Sequence, residues 1–258
     1  MQKRNFHSTK LIRLFLLSIA PIALVTWYAT ASSFVSGCGS VQLGGDRITV
    51  DLGTGPRSMV TGDFNHDGRV DFATANFGSG QGQTDGSISV VLNNGSGGFV
   101  SPTSITSGIN PRSIVTADFN KDGNADVAVL HYVNGSCCIS TFATVFLSNA
   151  AGVFSAAGAP VPVGNDASSI AVGDFNKDTN PDLVAVSPTS GVILLLGNGS
   201  GAFSAPQLFG GVGSPQSVAV GDVNGDTKLD VIAGGTFGFN LSVLLGDGSG
   251  GFGAPTSV

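Results

Sequence analysis

One Asp-rich nonapeptide occurs four times in this chain, and it constrains both the fold and one ligand. The copies are Asp63-Phe-Asn-His-Asp-Gly-Arg-Val-Asp71, Asp118-Phe-Asn-Lys-Asp-Gly-Asn-Ala-Asp126, Asp174-Phe-Asn-Lys-Asp-Thr-Asn-Pro-Asp182 and Asp222-Val-Asn-Gly-Asp-Thr-Lys-Leu-Asp230. Each puts Asp, Asn, Asp and Asp at positions 1, 3, 5 and 9. A tightly wound loop of that spacing turns its side-chain oxygens towards one centre. A backbone carbonyl at position seven and water complete the roughly six to eight oxygens that Ca²⁺ takes.

The candidate ligands follow directly. They are Asp63, Asn65, Asp67, Asp71 and the Arg69 carbonyl in the first loop, and Asp118, Asn120, Asp122, Asp126 and the Asn124 carbonyl in the second. The third offers Asp174, Asn176, Asp178, Asp182 and the Asn180 carbonyl; the fourth offers Asp222, Asn224, Asp226, Asp230 and the Lys228 carbonyl. A plain hairpin turn needs only one or two Asx residues. The repeated set therefore points to Ca²⁺, up to four ions, in a structural role. Thr179 and Thr227 stand where Gly68 and Gly123 allow a sharp turn, which leaves the third and fourth loops open.

Composition supports a ligand role for these carboxylates. All 17 acidic residues are Asp, and twelve of them lie in the nonapeptides. A solvated acidic surface would mix in Glu. Beyond the first thirteen residues, seven basic residues face the 17 Asp, a formal net charge of −10. No basic patch is present, which argues against a nucleic-acid partner.

Lys3, Arg4, Lys10 and Arg13 precede the apolar stretch Leu14 to Val25, the pattern of a secretory signal. Residues 1–37 read as a signal peptide and 38–45 as a short spacer. Two exits compete: Ala29-Thr30-Ala31 fits simple cleavage, and Val35-Ser36-Gly37-Cys38 resembles a lipobox that would lipidate Cys38. A third reading is an uncleaved anchor, which Pro21 and the Ser/Thr/Gly-rich second half disfavour. The expected location is extracellular or in the cell envelope, with membrane contact only through a lipid anchor. Adjacent Cys137 and Cys138 fit either a strained vicinal disulfide or two small loop residues, and their spacing is no zinc signature.

The loops open at residues 63, 118, 174 and 222, so the period is near fifty. Each is entered by an alternating strand such as Ser113-Ile-Val-Thr-Ala-Asp118. The closing Asp starts a second apolar strand, and a third ends at Leu92, Leu147, Leu196 or Leu245. Seven residues later comes Phe99, Phe154, Phe203 or Phe252, expected to open a fourth strand. Four short antiparallel strands make one propeller blade. The fold expected is all-β: a propeller-type array of four four-stranded blades over residues 46–258, in units of roughly 46–98, 99–153, 154–202 and 203–258.

Phe252-Gly-Ala-Pro255, Phe203-Ser-Ala-Pro206 and the Asp-Phe-Asn-x-Asp-Gly-x-x-Asp core of the first two loops resemble FG-GAP (VCBS-type) repeats, the family that includes the β-propeller of integrin α subunits. Closed members of that family usually have more blades than four. Arg47-Ile-Thr-Val-Asp51 and Gly253–Val258 both look like the same fourth strand, so neither end completes the other. An open arc with exposed edges is expected.

No G-x-S-x-G elbow, HExxH, P-loop or Rossmann fingerprint stands in a fitting context, and no catalytic residue is assigned. His66 is expected at a solvent-facing loop position, and His131 on a loop or edge, with a general base as its alternative. Recognition is expected on the loops between second and third strands, long at Asn76 to Gly86 and His131 to Ser140, short at Ser187 to Gly191. Three functions compete: a non-catalytic binding or adhesion module for an unidentified protein or cell-surface ligand, a carbohydrate-binding or carbohydrate-cleaving propeller, and an assembly unit that pairs through open edges. Sugar faces favour aromatic platforms, yet the exported part holds one Tyr and no Trp.

Overall fold

The structure is a computed structural model that describes residues 48–80, 84–134, 139–235 and 241–257. The leader, Cys38, Cys137 and Cys138 lie outside the described residues. Arg47–Val258 form one compact unit.

Among the described residues four antiparallel sheets follow one another in sequence order. The first holds β1 (Pro56–Gly62), β2 (Asp71–Asn76), β3 (Ser87–Val91) and β4 (Thr103–Thr106). The second holds β5 (Pro111–Ala117), β6 (Asp126–Asn134), β7 (Ile139–Ser148) and β8 (Phe154–Ala156), with β9 (Val161–Asn165) also on β7. The third is β10 (Ser169–Gly173), β11 (Asp182–Ser187), β12 (Gly191–Leu195) and β13 (Gln207–Phe209). The fourth is β14 (Pro215–Gly221), β15 (Asp230–Gly235), β16 (Leu241–Leu244) and β17 (Thr256–Ser257). The inner strands β1, β5, β10 and β14 pack in succession. The sheets thus form an open propeller arc.

Alternation decides how blades stack. Odd and even residues of a strand point to opposite faces, so each middle blade buries one set forwards and the other backwards. In the third blade Leu183, Ala185, Ile193 and Leu195 meet Ala128, Leu130, Ala143 and Val145 of the second. Its other face, Val184, Val186, Val192 and Leu194, meets Val231, Ala233 and Leu244 of the fourth. Each such Val, Leu or Ile contributes about 1.5–3 kcal/mol on burial. A single blade has no partner for either face, so the array is the folding unit.

The Phe seven residues beyond Leu147, Leu196 or Leu245 also acts between blades. Phe154, Phe203 and Phe252 meet Phe64, Phe119 and Phe175 of the preceding blade's loop edge-on, at 5.6, 5.8 and 5.5 Å. Phe99, in the first described blade, packs on Phe72 of its own sheet.

Two sequence expectations are corrected. Phe99, Phe203 and Phe252 sit at isolated bridges and do not open the fourth strand; only Phe154 begins one. The fourth-strand ladder starts directly after Pro102, Pro206 and Pro255, and in the second blade it resumes as β9 directly after Pro160, because proline offers no N–H to a ladder. Ile48–Asp51, expected to mirror the last strand, lies outside any strand.

The two ends of the arc differ. The outward face of the first blade is polar: Asn76 Nδ2 donates to Ser87 and Ser89 Oγ, and Thr74 Oγ1 donates to Asn76 Oδ1. The Gly53 N–H donates to Ser89 Oγ across that face, where a Cβ on Gly53 would lie 2.6 Å from Asn76 Nδ2 and from Ser87 Oγ. At the other end the registered row Ala219–Ile232–Val243–Thr256 points outwards beside Leu241, which is half exposed.

Candidate metal loops and an arginine–aromatic cluster

Each nonapeptide closes the hairpin between the first two strands of a blade. Its last Asp pairs with the residue just before its first: Gly62 with Asp71, Ala117 with Asp126, Gly173 with Asp182, Gly221 with Asp230. The four loops therefore sit at equivalent places at one end of the blades.

The first Asp organises the turn. Asp63, Asp118, Asp174 and Asp222 accept the N–H groups of positions five and six at 2.7–3.1 Å. Two left-handed residues make that possible, at position four (His66, Lys121, Lys177, Gly225) and at position six (Gly68, Gly123, Thr179, Thr227). Thr179 at φ 70° and Thr227 at φ 68° adopt the glycine conformation despite a β-branched side chain. That is strained by about 1–3 kcal/mol per residue. Each hydroxyl takes a hydrogen bond from the preceding loop: Lys121 Nζ donates to Thr179 Oγ1 and Lys177 Nζ to Thr227 Oγ1. The third and fourth loops thus keep the shape of the first two.

Position five is the outer carboxylate, exposed at Asp122, Asp178 and Asp226 and part-buried at Asp67. Asp67, Asp122, Asp178 and Asp226 each accept the N–H of position seven. In the first three loops the position-three Asn amide (Asn65, Asn120, Asn176) also donates to it. The N–H of Asn124 and then the Asn120 amide hold Asp122 below its ordinary value. The loops differ at position seven. Arg69 ion-pairs with Asp67 at 2.6 Å and Lys228 with Asp226 at 3.2 Å, whereas Asn124 and Asn180 carry no charge.

Position nine is buried. Asp71, Asp126, Asp182 and Asp230 are at most 1 % exposed. One oxygen of each accepts the N–H of position two (Phe64, Phe119, Phe175, Val223). The other accepts an N–H at the end of the third strand (Asn93, Ser148, Gly197, Gly246). The carboxylate ties loop, second strand and third strand together. Burial pushes Asp71 up, and lifts Asp126 and Asp182 to about 6, against the opposing pull of those N–H donors.

Among the described residues no three His, Cys, Asp or Glu side chains converge as a cage by themselves. A metal in these loops needs the Asn oxygen and the position-seven carbonyl as well. The donor set fits a hard cation: all oxygen, with buried carboxylate at position nine. In the first loop Asn65 Oδ1 is buried without a hydrogen-bond partner, an unmet acceptor of the kind a cation satisfies. In the other loops the same oxygen accepts the position-five N–H at 2.9–3.2 Å.

The opposite ends of the blades carry a second cluster, which the sequence reading missed. Arg57 and Arg112 occupy the same place in β1 and β5, and Phe77 and Tyr132 lie the same six residues beyond Asp71 and Asp126. The Arg57 guanidinium lies 3.8 Å over the Phe77 ring, and that of Arg112 lies 3.9 Å over Tyr132 and 5.7 Å from Phe77. The rings are buried, Arg112 is half-buried and Arg57 is exposed. The signal was one residue away from the aligned Ser58 and Ser113.

His66 is exposed, as expected. His131 is not on a loop or edge: it lies within β6 at 4 % exposure, stacked on Phe142, and burial holds it below its ordinary value. The predicted His131–Ser140 loop is mostly strand, since β6 runs to Asn134 and β7 starts at Ile139.

Residues 75–129 and 174–233 match the family model described as an FG-GAP-like repeat. No curated protein matches the chain.

Proposed function

The chain is an FG-GAP repeat protein, and on that premise we propose that it is an exported, calcium-stabilised, non-catalytic binding module. Calcium held by the four loops fixes one end of the blades, and the other end meets a protein or cell-surface ligand. The observation that carries this reading is the division of labour between the two ends. Strained, carboxylate-rich loops that tie strands together lie at one, and stacked Arg57–Phe77 and Arg112–Tyr132 at the other. Export, through the leader and with Cys38 as a lipid anchor, belongs to the same reading.

The test is binding of the labelled full chain, with calcium, to an array of extracellular proteins. Saturable binding at or below about ten micromolar is expected, reduced by Arg112→Glu and unchanged by Lys228→Gln. No saturable binding in that range rejects the module.

A second reading, pairing between copies, is favoured by the outward apolar row of the fourth blade, Ile232 and Val243 beside half-exposed Leu241. The polar, strapped face of the first blade does not complement it, so copies would pair fourth blade to fourth blade about a two-fold axis. Light scattering should show a dimer at tens of micromolar that Val243→Lys dissociates. A monomer at that concentration removes this reading.

A further inference from the structure

Two of the cations stand apart from the rest. Among the described residues, Arg69 and Lys228 pair with loop carboxylates, and Lys121 and Lys177 bond to loop threonines. Among the described residues Arg57 and Arg112 form no ion pair, although the protein is strongly acidic. They lie together on adjacent blades, close enough for the charge of Arg57 to bear on Arg112. The acid whose field reaches Arg112 is Asp166, which stands beyond ion-pair distance.

The Phe77 and Tyr132 rings cover the Arg57 and Arg112 guanidinium groups from one side. Arg112 Nε is buried with no hydrogen-bond partner, an unmet donor. Burial lowers the Arg112 guanidinium from its ordinary value, a cost that a bound anion would offset. We propose that Arg57 and Arg112, covered from one side by Phe77 and Tyr132, form a binding site for a carboxylate side chain of an acidic peptide.

Three considerations select that ligand. A planar carboxylate matches the fork of a guanidinium bidentately. Two cations with Asp166 nearby leave about one net positive charge, which suits a monoanion better than a phosphate dianion approaching an acidic protein. A sugar acid would want a free aromatic face, but Phe77 and Tyr132 are 5 % and 4 % exposed and lie beneath the guanidinium groups.

The peptide source rests on the binding-module reading above; the anion site does not. The full chain, labelled with ¹⁵N at arginine, is titrated with a capped Gly-Glu-Gly peptide while the Nε–H signals are followed. Signals of Arg57 and Arg112, assigned through Arg57→Gln and Arg112→Gln, should move saturably with a Kd of about 1–10 mM. The Gly-Gln-Gly peptide should leave them unmoved, and Arg57→Gln should weaken binding roughly tenfold. Arg57 is exposed, so its variant reports on the site even where Arg112→Gln fails to fold.

No movement at 50 mM peptide, about fivefold above the weakest expected Kd, overturns the site. Equal movement with Gly-Gln-Gly overturns the carboxylate. Stronger binding of galacturonate or phosphate overturns the peptide assignment. A titration that succeeds while the protein array stays blank keeps the site and rejects the module.

Discussion

Asp182→Ala should lower the stability of the metal-free chain by roughly 3 kcal/mol or more. The carboxylate is fully buried and receives the Phe175 N–H at one oxygen and the Gly197 N–H at the other, both at 2.8 Å. Alanine leaves both donors without a partner inside the protein, at about 1–3 kcal/mol each, and opens a cavity between two strands. Asp182→Asn keeps an oxygen for one N–H but sets an amide against the other, so its loss should be intermediate. Asp178→Ala, at the exposed position five of the same loop, should leave metal-free stability nearly unchanged. Urea unfolding in EDTA measures all three. Equal effects of Asp182→Ala and Asp178→Ala would mean that position nine is no structural tie, and that the loop acts only as a unit.

Much of this was legible because the repeat fixes spacing. The closing Asp of each nonapeptide marks the first residue of a second strand, as Asp71, Asp126, Asp182 and Asp230 do. Apolar alternation then gives both faces of a middle blade, as at Leu183–Val186. What the pattern does not show is what one unit does to the next. Phe154 and Phe64 are ninety residues apart in sequence, and only the stacking of blades joins them. The same holds for Lys121 and Thr179, whose contact accompanies a threonine in a glycine conformation. Prolines were visible, but their effect of delaying the fourth strand past the Phe depends on a ladder being present. Arg57 and Arg112 were hidden differently: each is a single polar residue near the start of its strand with no motif around it, and their contacts need the positions of two aromatic side chains from neighbouring blades.

Adding Ca²⁺ to the EDTA-treated full chain should raise its melting temperature by more than about 10 °C. A ligand bound only by the folded state stabilises by RT ln(1 + [L]/Kd), about 2.7 kcal/mol per site at a hundredfold excess over Kd. Two occupied loops supply about 5 kcal/mol, and each kcal/mol is worth roughly 2–4 °C in a domain of this size. The loops should not contribute equally. In the first and fourth, Arg69 and Lys228 already hold the position-five carboxylate, and a metal must compete with them. In the second and third, Asn124 and Asn180 offer no such competitor. Asp122→Asn and Asp178→Asn should therefore each remove more of the calcium shift than Asp226→Asn. Arg69→Gln and Lys228→Gln should enlarge it. Mg²⁺ should be far weaker, since it demands a compact octahedron that a loop of bonded backbone and Asn oxygens does not supply. A melting temperature that does not move, or moves equally with Mg²⁺, would reduce the nonapeptides to hydrogen-bonded turns. The buried carboxylates at position nine would then be their whole purpose.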